Sequence, residues 1–113
     1  VPSPHSSDLP ASVLSRTQLL DNLSIYWFTR SGASSARLYW ESFGKMSRDP
    51  VKVPSGCTIF PKEIFQASRR WTEKRFENLV YWNEVDRGGH FAAFEQPDLF
   101  AKELRAAFRA MRG

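Results

Sequence analysis

The amino-acid sequence predicts an α/β fold in which two parallel strands pair at the edge of a sheet and helices form the crossovers. Residues 51–57 are strand-like, and residues 79–85 form an apolar run with the residue types of a strand. Helical periodicity occurs between these runs and again after the second one. Two further helices are predicted ahead of both strands, so the order is helix, helix, strand, helix, strand, helix.

The first helix is predicted from Ser15 to about Arg30. Ser15 and Gln18 have the spacing of a capping box, in which each side chain bonds the other residue's backbone N–H. Residues 1–14, which precede the helix, are rich in proline and serine and are predicted to form an irregular linker. Apolar side chains then recur at helical spacing at Leu19, Leu20, Leu23, Tyr26 and Trp27.

A second helix is predicted from Ser34 to Phe43, and Gly44 suits the position just past its end. Tyr39 and Phe43 stand four residues apart in the sequence and are therefore expected to share one face of the helix. From the residue types alone, this pair is most simply a buried aromatic stripe.

The first strand is predicted to be short, because Pro54 has no N–H to donate to a ladder. Residues 58–61 are expected to form a loop and residues 62–66 a helical turn. Ser68 is a candidate N-cap for a third helix that ends near Phe76.

The second strand, at residues 79–85, is largely apolar on both faces, as buried parallel strands are. A turn with two glycines connects it to the last helix, where Pro97 suits the first helical position. The predicted buried stripe of that helix consists of Phe100, Leu104, Ala107, Phe108 and Met111.

Composition is typical of a folded domain rather than of a disordered tail. The chain has 113 residues, of which 42% are hydrophobic, including four Trp and nine Phe. The net charge of +4 does not come from one basic block, because the basic residues recur at helical spacing and fit solvated helix faces. A nucleic-acid-binding surface is therefore disfavoured.

The single cysteine, Cys57, excludes an internal disulfide and fits a small buried side chain.

A histidine follows the second strand closely. Gly88 and Gly89 permit a sharp turn before His90, at the edge of the sheet where open α/β folds bind their ligands. From residue types alone, a catalytic histidine and a chance histidine in a turn are equally supported.

Glu63 follows the first strand, so parallel pairing would bring its carboxylate near the imidazole. The alternative is a surface glutamate in a helical first turn. Weaker rivals for the acid are Glu84, Asp86 and Glu95.

Three segments of the sequence resemble one protein family. Residues 87–95, RGGHFAAFE, closely resemble the catalytic-histidine segment of epoxide hydrolases of the microsomal type, which have the α/β-hydrolase fold. Residues 60–64, FPKEI, resemble the segment that carries the acid partner of that histidine. Residues 34–39, SSARLY, resemble the part of the family's lid that carries one of two tyrosines.

The resemblance implies a role for one residue in each segment. His90 would be the general base that activates water, and Glu63 would be the acid that orients it and stabilises its charged form. Tyr39 would hold the epoxide oxygen and donate a proton to it. For Tyr39, the alternative is an aromatic packing residue.

The resemblance covers residues 17–111 and only the C-terminal part of a family member. It predicts a C-terminal fragment of an α/β-hydrolase: residues 1–14 are a linker, residues 15–46 the end of the helical lid, and residues 47–113 the C-terminal part of the core. The family's nucleophile is an aspartate on a strand-turn-helix elbow, which this sequence does not contain. This chain alone is therefore predicted to be inactive.

The implied reaction adds water to an epoxide to give a vicinal diol through an alkyl-enzyme ester, a detoxification chemistry. It needs no metal or other cofactor, and the sequence has no metal-ligand spacing. The implied partners are a small-molecule epoxide and the N-terminal part of the same protein. No nucleic acid and no membrane segment in this chain are expected, and a homo-oligomer is left open.

Other functions remain as alternatives. Another α/β-hydrolase, such as an esterase or a dehalogenase, would share the acid and the histidine but differ in its nucleophile. A non-catalytic basic binding module is the rival from a different class.

The location of the parent protein is open: the cytoplasm is favoured for a soluble parent, and a membrane for one with an anchoring N-terminal segment. If an absent segment covers the aromatic side chains, this chain would expose an apolar patch.

Overall fold

The structure is a computed structural model that describes residues 13–45 and 47–112, so the predicted linker lies almost wholly outside the described residues. The chain forms two compact units, which divide between Ser47 and Arg48. The described part of the first unit contains two helices, and that of the second contains two strands and three helices. Within these ranges, no helix combines the length and the apolar character needed to cross a membrane.

The first helix, α1 (Arg16–Phe28), begins as the sequence predicts. The Ser15 hydroxyl accepts a hydrogen bond from the Gln18 backbone N–H at 3.1 Å, and the Gln18 side chain accepts one from the Ser15 N–H at 2.9 Å. The helix ends slightly before Arg30, because Arg30 adopts a left-handed φ of 52° that turns the chain away. Its N–H then donates to the Trp27 carbonyl at 3.2 Å, which satisfies one of the last helical acceptors.

The second helix, α2 (Gly32–Ser42), begins before the predicted Ser34, and its N-cap residue, Ser31, makes no side-chain capping hydrogen bond. Tyr39 and Phe43 share a face, as predicted, with ring centroids 6.1 Å apart. Both rings are exposed in this unit, so the predicted buried aromatic stripe is not formed there.

The two strands of the second unit, β1 (Ser55–Ile59) and β2 (Leu79–Glu84), pair in parallel, as predicted. The first strand lies later in the sequence than expected. Thr58 and Ile59 are strand residues, although the sequence predicts a loop for them. Pro54 is the cause, because it cannot donate to a ladder and regular pairing begins only after it.

Residues 62–66 do not form the predicted helical turn. Lys62 instead joins an isolated parallel bridge with Gly89, and the chain bends at Ile64 and Phe65. Pairing across the bridge replaces the local hydrogen bonds that a helical turn would need, so Glu63 is not in a helical first turn.

The crossover between the strands contains α3 (Arg69–Arg75). Ser68 is its N-cap, as predicted, and its hydroxyl accepts a hydrogen bond from the Trp71 N–H at 3.3 Å. Helix α4 (Ala92–Glu95) is a single turn that the sequence does not predict, because four residues are too few to show a helical period.

The last helix, α5 (Pro97–Arg112), begins at its proline, as predicted. The predicted buried stripe is wrong for three of its members, since Leu104 is 47% exposed, Phe108 is 50% exposed, and Phe100 is also exposed. The other two predicted members, Ala107 and Met111, do lie against β1, with side-chain atoms 3.0 and 3.2 Å from where a side chain on Gly56 would begin. The small Ala107 side chain lets the helix approach the sheet closely on this neighbouring face.

Glu103 is the buried residue of α5, with 6% of its surface exposed. Its Oε2 accepts hydrogen bonds from the Thr58 hydroxyl at 3.2 Å, the Tyr81 hydroxyl at 2.8 Å and the Asn83 side-chain amide at 3.0 Å. Thr58 on β1 and Asn83 on β2 are register partners. The Glu103 carboxylate therefore links both strands to α5 by hydrogen bonds. Burial raises the pKa of Glu103, but the three donors and the nearby Lys102 outweigh it and hold the pKa below its ordinary value.

The described residues expose many large apolar side chains. Trp40 is 89% exposed, and Trp27, Phe28 and Phe65 are nearly as open. In these ranges Ala92 is the one buried hydrophobic side chain, and no large side chain is fully buried. The described residues thus expose apolar side chains, and their covering by a segment outside this chain stays a prediction.

We expect Glu103→Ala to lower the free energy of unfolding by about 2–3 kcal/mol, because three donors lose their acceptor while they remain partly buried. Urea unfolding of the protein measures the change. Glu73→Ala is the matched control, since Glu73 is an exposed glutamate paired with Arg69 at 2.8 Å. Its loss should cost about 0.5 kcal/mol or less. Equal effects of the two substitutions would contradict the role given to Glu103.

Candidate active site

The candidate site lies where the two strands end. In a parallel pair, the carboxyl ends of both strands meet at the same edge of the sheet. The pairing does not stop at Ile59 and Glu84, because Lys62 and Gly89 form a further parallel bridge beyond them. The Lys62 N–H donates to the Gly88 carbonyl at 3.0 Å. Backbone hydrogen bonding thus extends into the two loops that carry the predicted acid and base.

The structure brings Glu63 and His90 into direct contact. Glu63 directly follows Lys62 in the sequence, and His90 directly follows Gly89, the two residues that form the bridge. Glu63 Oε1 lies 2.6 Å from His90 Nδ1, which is the distance of a strong charge-assisted hydrogen bond. Two of the three predicted site residues are therefore neighbours, although they come from loops that are separated by a whole crossover.

The hydrogen bonds of Glu63 keep it ionised. The bond from His90 lowers the pKa of the Glu63 carboxyl, and a bond from the Ile64 backbone N–H at 2.9 Å lowers it further. An ionised carboxylate can only accept, so the proton of the shared bond resides on Nδ1. The Nε2 atom of a neutral His90 ring then carries the free lone pair, which is what a general base needs.

The pair is accessible from outside this chain. The His90 side chain is 50% exposed and the Glu63 side chain is 30% exposed. The Phe91 ring packs edge-on against the imidazole, with centroids 5.0 Å apart and an interplanar angle of 76°. An exposed imidazole with an apolar ring at its side can meet both a water molecule and an apolar reactant.

The loop before the histidine depends on a glycine. Gly88 has a φ of +102°, a conformation that residues with a side chain rarely adopt. A side chain there would begin 2.7 Å from Cδ1 of Phe60, which is closer than non-bonded atoms approach. Both the backbone angle and the lack of space therefore require glycine at this position.

The rival acids bond other groups. Asp86 pairs with Arg87 at 3.3 Å, and the Glu95 carboxylate accepts the Phe91 backbone N–H at 3.2 Å. Glu84 is an exposed residue at the end of β2. The contact of Glu95 is not foreseen from the sequence, although its position one helical turn after Phe91 is the spacing at which a side chain can reach back to that N–H.

Tyr39 belongs to the first unit, where it lies on α2 in contact with Phe43. Its predicted role stays a prediction. An apolar groove of about 900 Å³ is also present in this unit, and Tyr39 is not among its lining residues. The groove is lined largely by residues of α1, including Leu20, Leu23, Trp27 and Phe28.

Cys57 is partly buried on β1 and has no disulfide partner in the described part of the chain. Burial raises the pKa of its thiol, so the reactive thiolate is disfavoured at neutral pH. No cluster of three or more His, Cys, Asp or Glu side chains within residues 13–45 and 47–112 is arranged to hold a metal ion.

The chain is similar in sequence to proteins named as epoxide hydrolases, although no protein-family model matches it. Over 104 residues, which are 91% of this chain, it is 55% identical to a Stigmatella aurantiaca protein named as a candidate epoxide hydrolase. Over 92 residues, which are 76% of this chain, it is 41% identical to epoxide hydrolase 1 of Oryctolagus cuniculus. The matches cover 24% and 20% of these relatives, so the chain spans a quarter or less of their length.

The fold is similar to part of a crystal structure of juvenile hormone epoxide hydrolase from the silkworm Bombyx mori. The TM-score is 0.83 at 34% sequence identity, and the match covers 90% of this chain and 27% of the silkworm chain. The silkworm protein is an α/β-hydrolase. The predicted fold class, a fragment of an α/β-hydrolase with parallel strands, is therefore confirmed.

We expect Gly88→Ala to lower the free energy of unfolding by about 1–3 kcal/mol, because alanine is strained at this φ and would press on Phe60. Gly44→Ala is the matched control, since no heavy atom lies within 4 Å of its would-be side chain. That substitution should change the free energy by about 0.5 kcal/mol or less. Calorimetric unfolding of both variants measures the difference, and similar losses would refute the requirement for glycine at position 88.

We expect the Glu63 carboxyl to titrate below the ordinary pH of a glutamate, because its hydrogen bond with His90 stabilises the ionised form. The side-chain carboxyl resonance, followed by NMR across the acidic range, gives the midpoint. In His90→Ala the largest cause of the lowered pKa is gone, so the midpoint should rise. A midpoint that is the same with and without the imidazole would show that the 2.6 Å contact is not kept in solution.

Proposed function

We propose that this chain, which belongs to the epoxide hydrolase family, is the C-terminal part of an enzyme that adds water to an epoxide to give a vicinal diol. The observation that carries the proposal is the hydrogen bond between Glu63 and His90 at the carboxyl end of the parallel strands. An imidazole held by an ionised carboxylate is a ready base for water. The similarity to epoxide hydrolases selects this reaction among those that such a pair can serve.

The first step of the proposed reaction opens the epoxide. An aspartate outside this chain attacks one epoxide carbon with a carboxylate oxygen, and the carbon–oxygen bond of the ring breaks. The product is an ester between enzyme and substrate, with the former ring oxygen left as an alkoxide. Tyr39, together with a second tyrosine outside this chain, holds that oxygen and supplies the proton that makes it a hydroxyl.

The second step hydrolyses the ester, and it is the step in which His90 acts. Its Nε2 takes a proton from a water molecule as the water oxygen attacks the ester carbonyl. The bond between the carbonyl carbon and the substrate oxygen then breaks, and that oxygen takes the proton from Nε2 as the diol leaves. The aspartate is regenerated with one oxygen from the water, and the second proton of the water passes to solvent. Glu63 keeps the proton on Nδ1 throughout and stabilises the imidazolium that forms at Nε2.

The two parts of the chain would belong to different parts of such an enzyme. Residues 15–46 would be the end of the helical lid and residues 47–113 the C-terminal part of the core, which agrees with the division into units between Ser47 and Arg48. The partners would be an epoxide and the N-terminal part of the same protein. The exposed apolar side chains of both units are what such a partner segment would cover.

The test uses the full-length protein and a panel of small aryl and alkyl epoxides. His90→Gln should lower turnover by roughly 100- to 10,000-fold, because glutamine cannot take the proton from water. It should still react once, so intact-mass spectrometry should find an adduct heavier by one epoxide. A protein that forms diol at the same rate with and without His90, and that carries no adduct, would refute the proposal.

The role of Tyr39 is tested by the step that slows. Tyr39→Phe should slow formation of the ester without slowing its hydrolysis. The reason is that the phenol acts only on the epoxide oxygen while the ring opens. Tyr26→Phe removes a hydroxyl from the same unit and is the control expected to react at the wild-type rate. Equal rates of ester formation in the two variants would remove Tyr39 from the site.

A further inference from the structure

Glu95 contacts the backbone on both sides of His90. On the far side, its Oε1 accepts a hydrogen bond from the Phe91 N–H at 3.2 Å. The Glu95 backbone N–H in turn donates to the Phe91 carbonyl at 2.8 Å. Both polar backbone groups of Phe91, the residue directly after the histidine, are therefore bonded to one residue a single helical turn away.

On the near side, Glu95 packs against Gly89, the residue directly before the histidine. Its Oε2 lies 3.2 Å from where a side chain on Gly89 would begin, and the Lys62 carbonyl oxygen lies 3.1 Å from the same point. Gly89 is itself buried. The Glu95 carboxylate and the Lys62 carbonyl thus meet at the same side of Gly89, and Lys62 directly precedes Glu63.

The histidine needs such backbone support. Half of its side chain is exposed, so packing around the imidazole cannot by itself hold the ring in one orientation. The ring is fixed by its hydrogen bond to Glu63 and by the edge of the Phe91 ring. Both contacts require the backbone from Gly89 to Phe91 to stay in place, and Glu95 bonds or packs against each end of that short stretch.

We propose that Glu95 is a positioning residue for His90, whose carboxylate fixes the backbone on both sides of the histidine and so holds the imidazole against Glu63. The inference rests on the proposed function, because a base that must meet a water molecule and an ester is sensitive to placement. A displacement of about 1 Å at a catalytic group can cost roughly 100-fold in rate. The effect should therefore appear in ester hydrolysis, the step that uses His90, and not in ester formation.

Two substitutions separate the position of this carboxylate from its charge. Glu95→Gln keeps an oxygen that can reach the Phe91 N–H but removes the negative charge. Glu95→Asp keeps the charge, but its side chain is one methylene shorter and falls short of that N–H. Glu84→Gln and Glu84→Asp are the matched controls, since Glu84 is an exposed glutamate at the end of the neighbouring strand.

The experiment measures the two steps separately in the full-length protein, by rapid mixing with a small aryl epoxide. Glu95→Asp should hydrolyse the ester roughly 10- to 100-fold more slowly than the wild type while forming it at close to the normal rate. Glu95→Gln should hydrolyse it nearly as fast as the wild type. Both Glu84 variants should match the wild type in both steps.

Other patterns overturn the inference. Slow hydrolysis in Glu95→Gln with normal hydrolysis in Glu95→Asp would mean that charge, not placement, is what Glu95 supplies. Normal rates in both variants, or equal losses in both steps, would also refute the positioning role. The His90→Gln variant serves as the separate check on the proposed function. If it accumulates ester and Glu95→Asp is unimpaired, only the inference about Glu95 fails; if it accumulates none, the proposed function fails.

Discussion

Parallel strands end at the same edge of a sheet, and that rule brings Glu63 and His90 together in this protein. The two residues are separated in the sequence by an entire crossover, so no local structure could place them 2.6 Å apart. The pairing of β1 with β2 does so because it continues to the bridge between Lys62 and Gly89. Glu63 and His90 are each the first residue beyond that bridge, so the geometry of the pair follows from backbone hydrogen bonds.

A second polar group holds the strand pair that the site depends on. Glu103 accepts hydrogen bonds from both strands close to their carboxyl ends, through Thr58 and Asn83, and so links them to α5. A buried carboxylate costs free energy unless it is well bonded, and this one has three donors. The chain therefore carries two carboxylates of different kinds: Glu103 links the strands to α5, and Glu63 bonds the imidazole at the carboxyl end of the strands.

The elements with a strong local signal could be predicted from the sequence. The capping box at Ser15, the N-cap at Ser68 and the proline that opens α5 all act within one helical turn, so their residue types suffice. The buried face of α5 could be predicted only in part, through Ala107 and Met111. Phe100, Leu104 and Phe108 form the more apolar stripe, yet the sheet packs against the face that holds Glu103 and Ala107, because a small residue and a well-bonded carboxylate fit there.

By itself, the sequence determined the α/β class, the order of the main elements, and the identity of the acid and the base as candidates. It could do so because strand and helix periods, caps and the resemblance of short segments are all local properties. Only the tertiary structure decided that Glu63, rather than Asp86 or Glu95, bonds the imidazole, and that Glu95 bonds the backbone beside it. The bond between Glu63 and His90 depends on strand register and on a bridge between distant loops, and hydrogen bonds across such distances leave no period in the sequence. The Glu95 contact is local, but the single turn of α4 that forms it is too short to show a helical period.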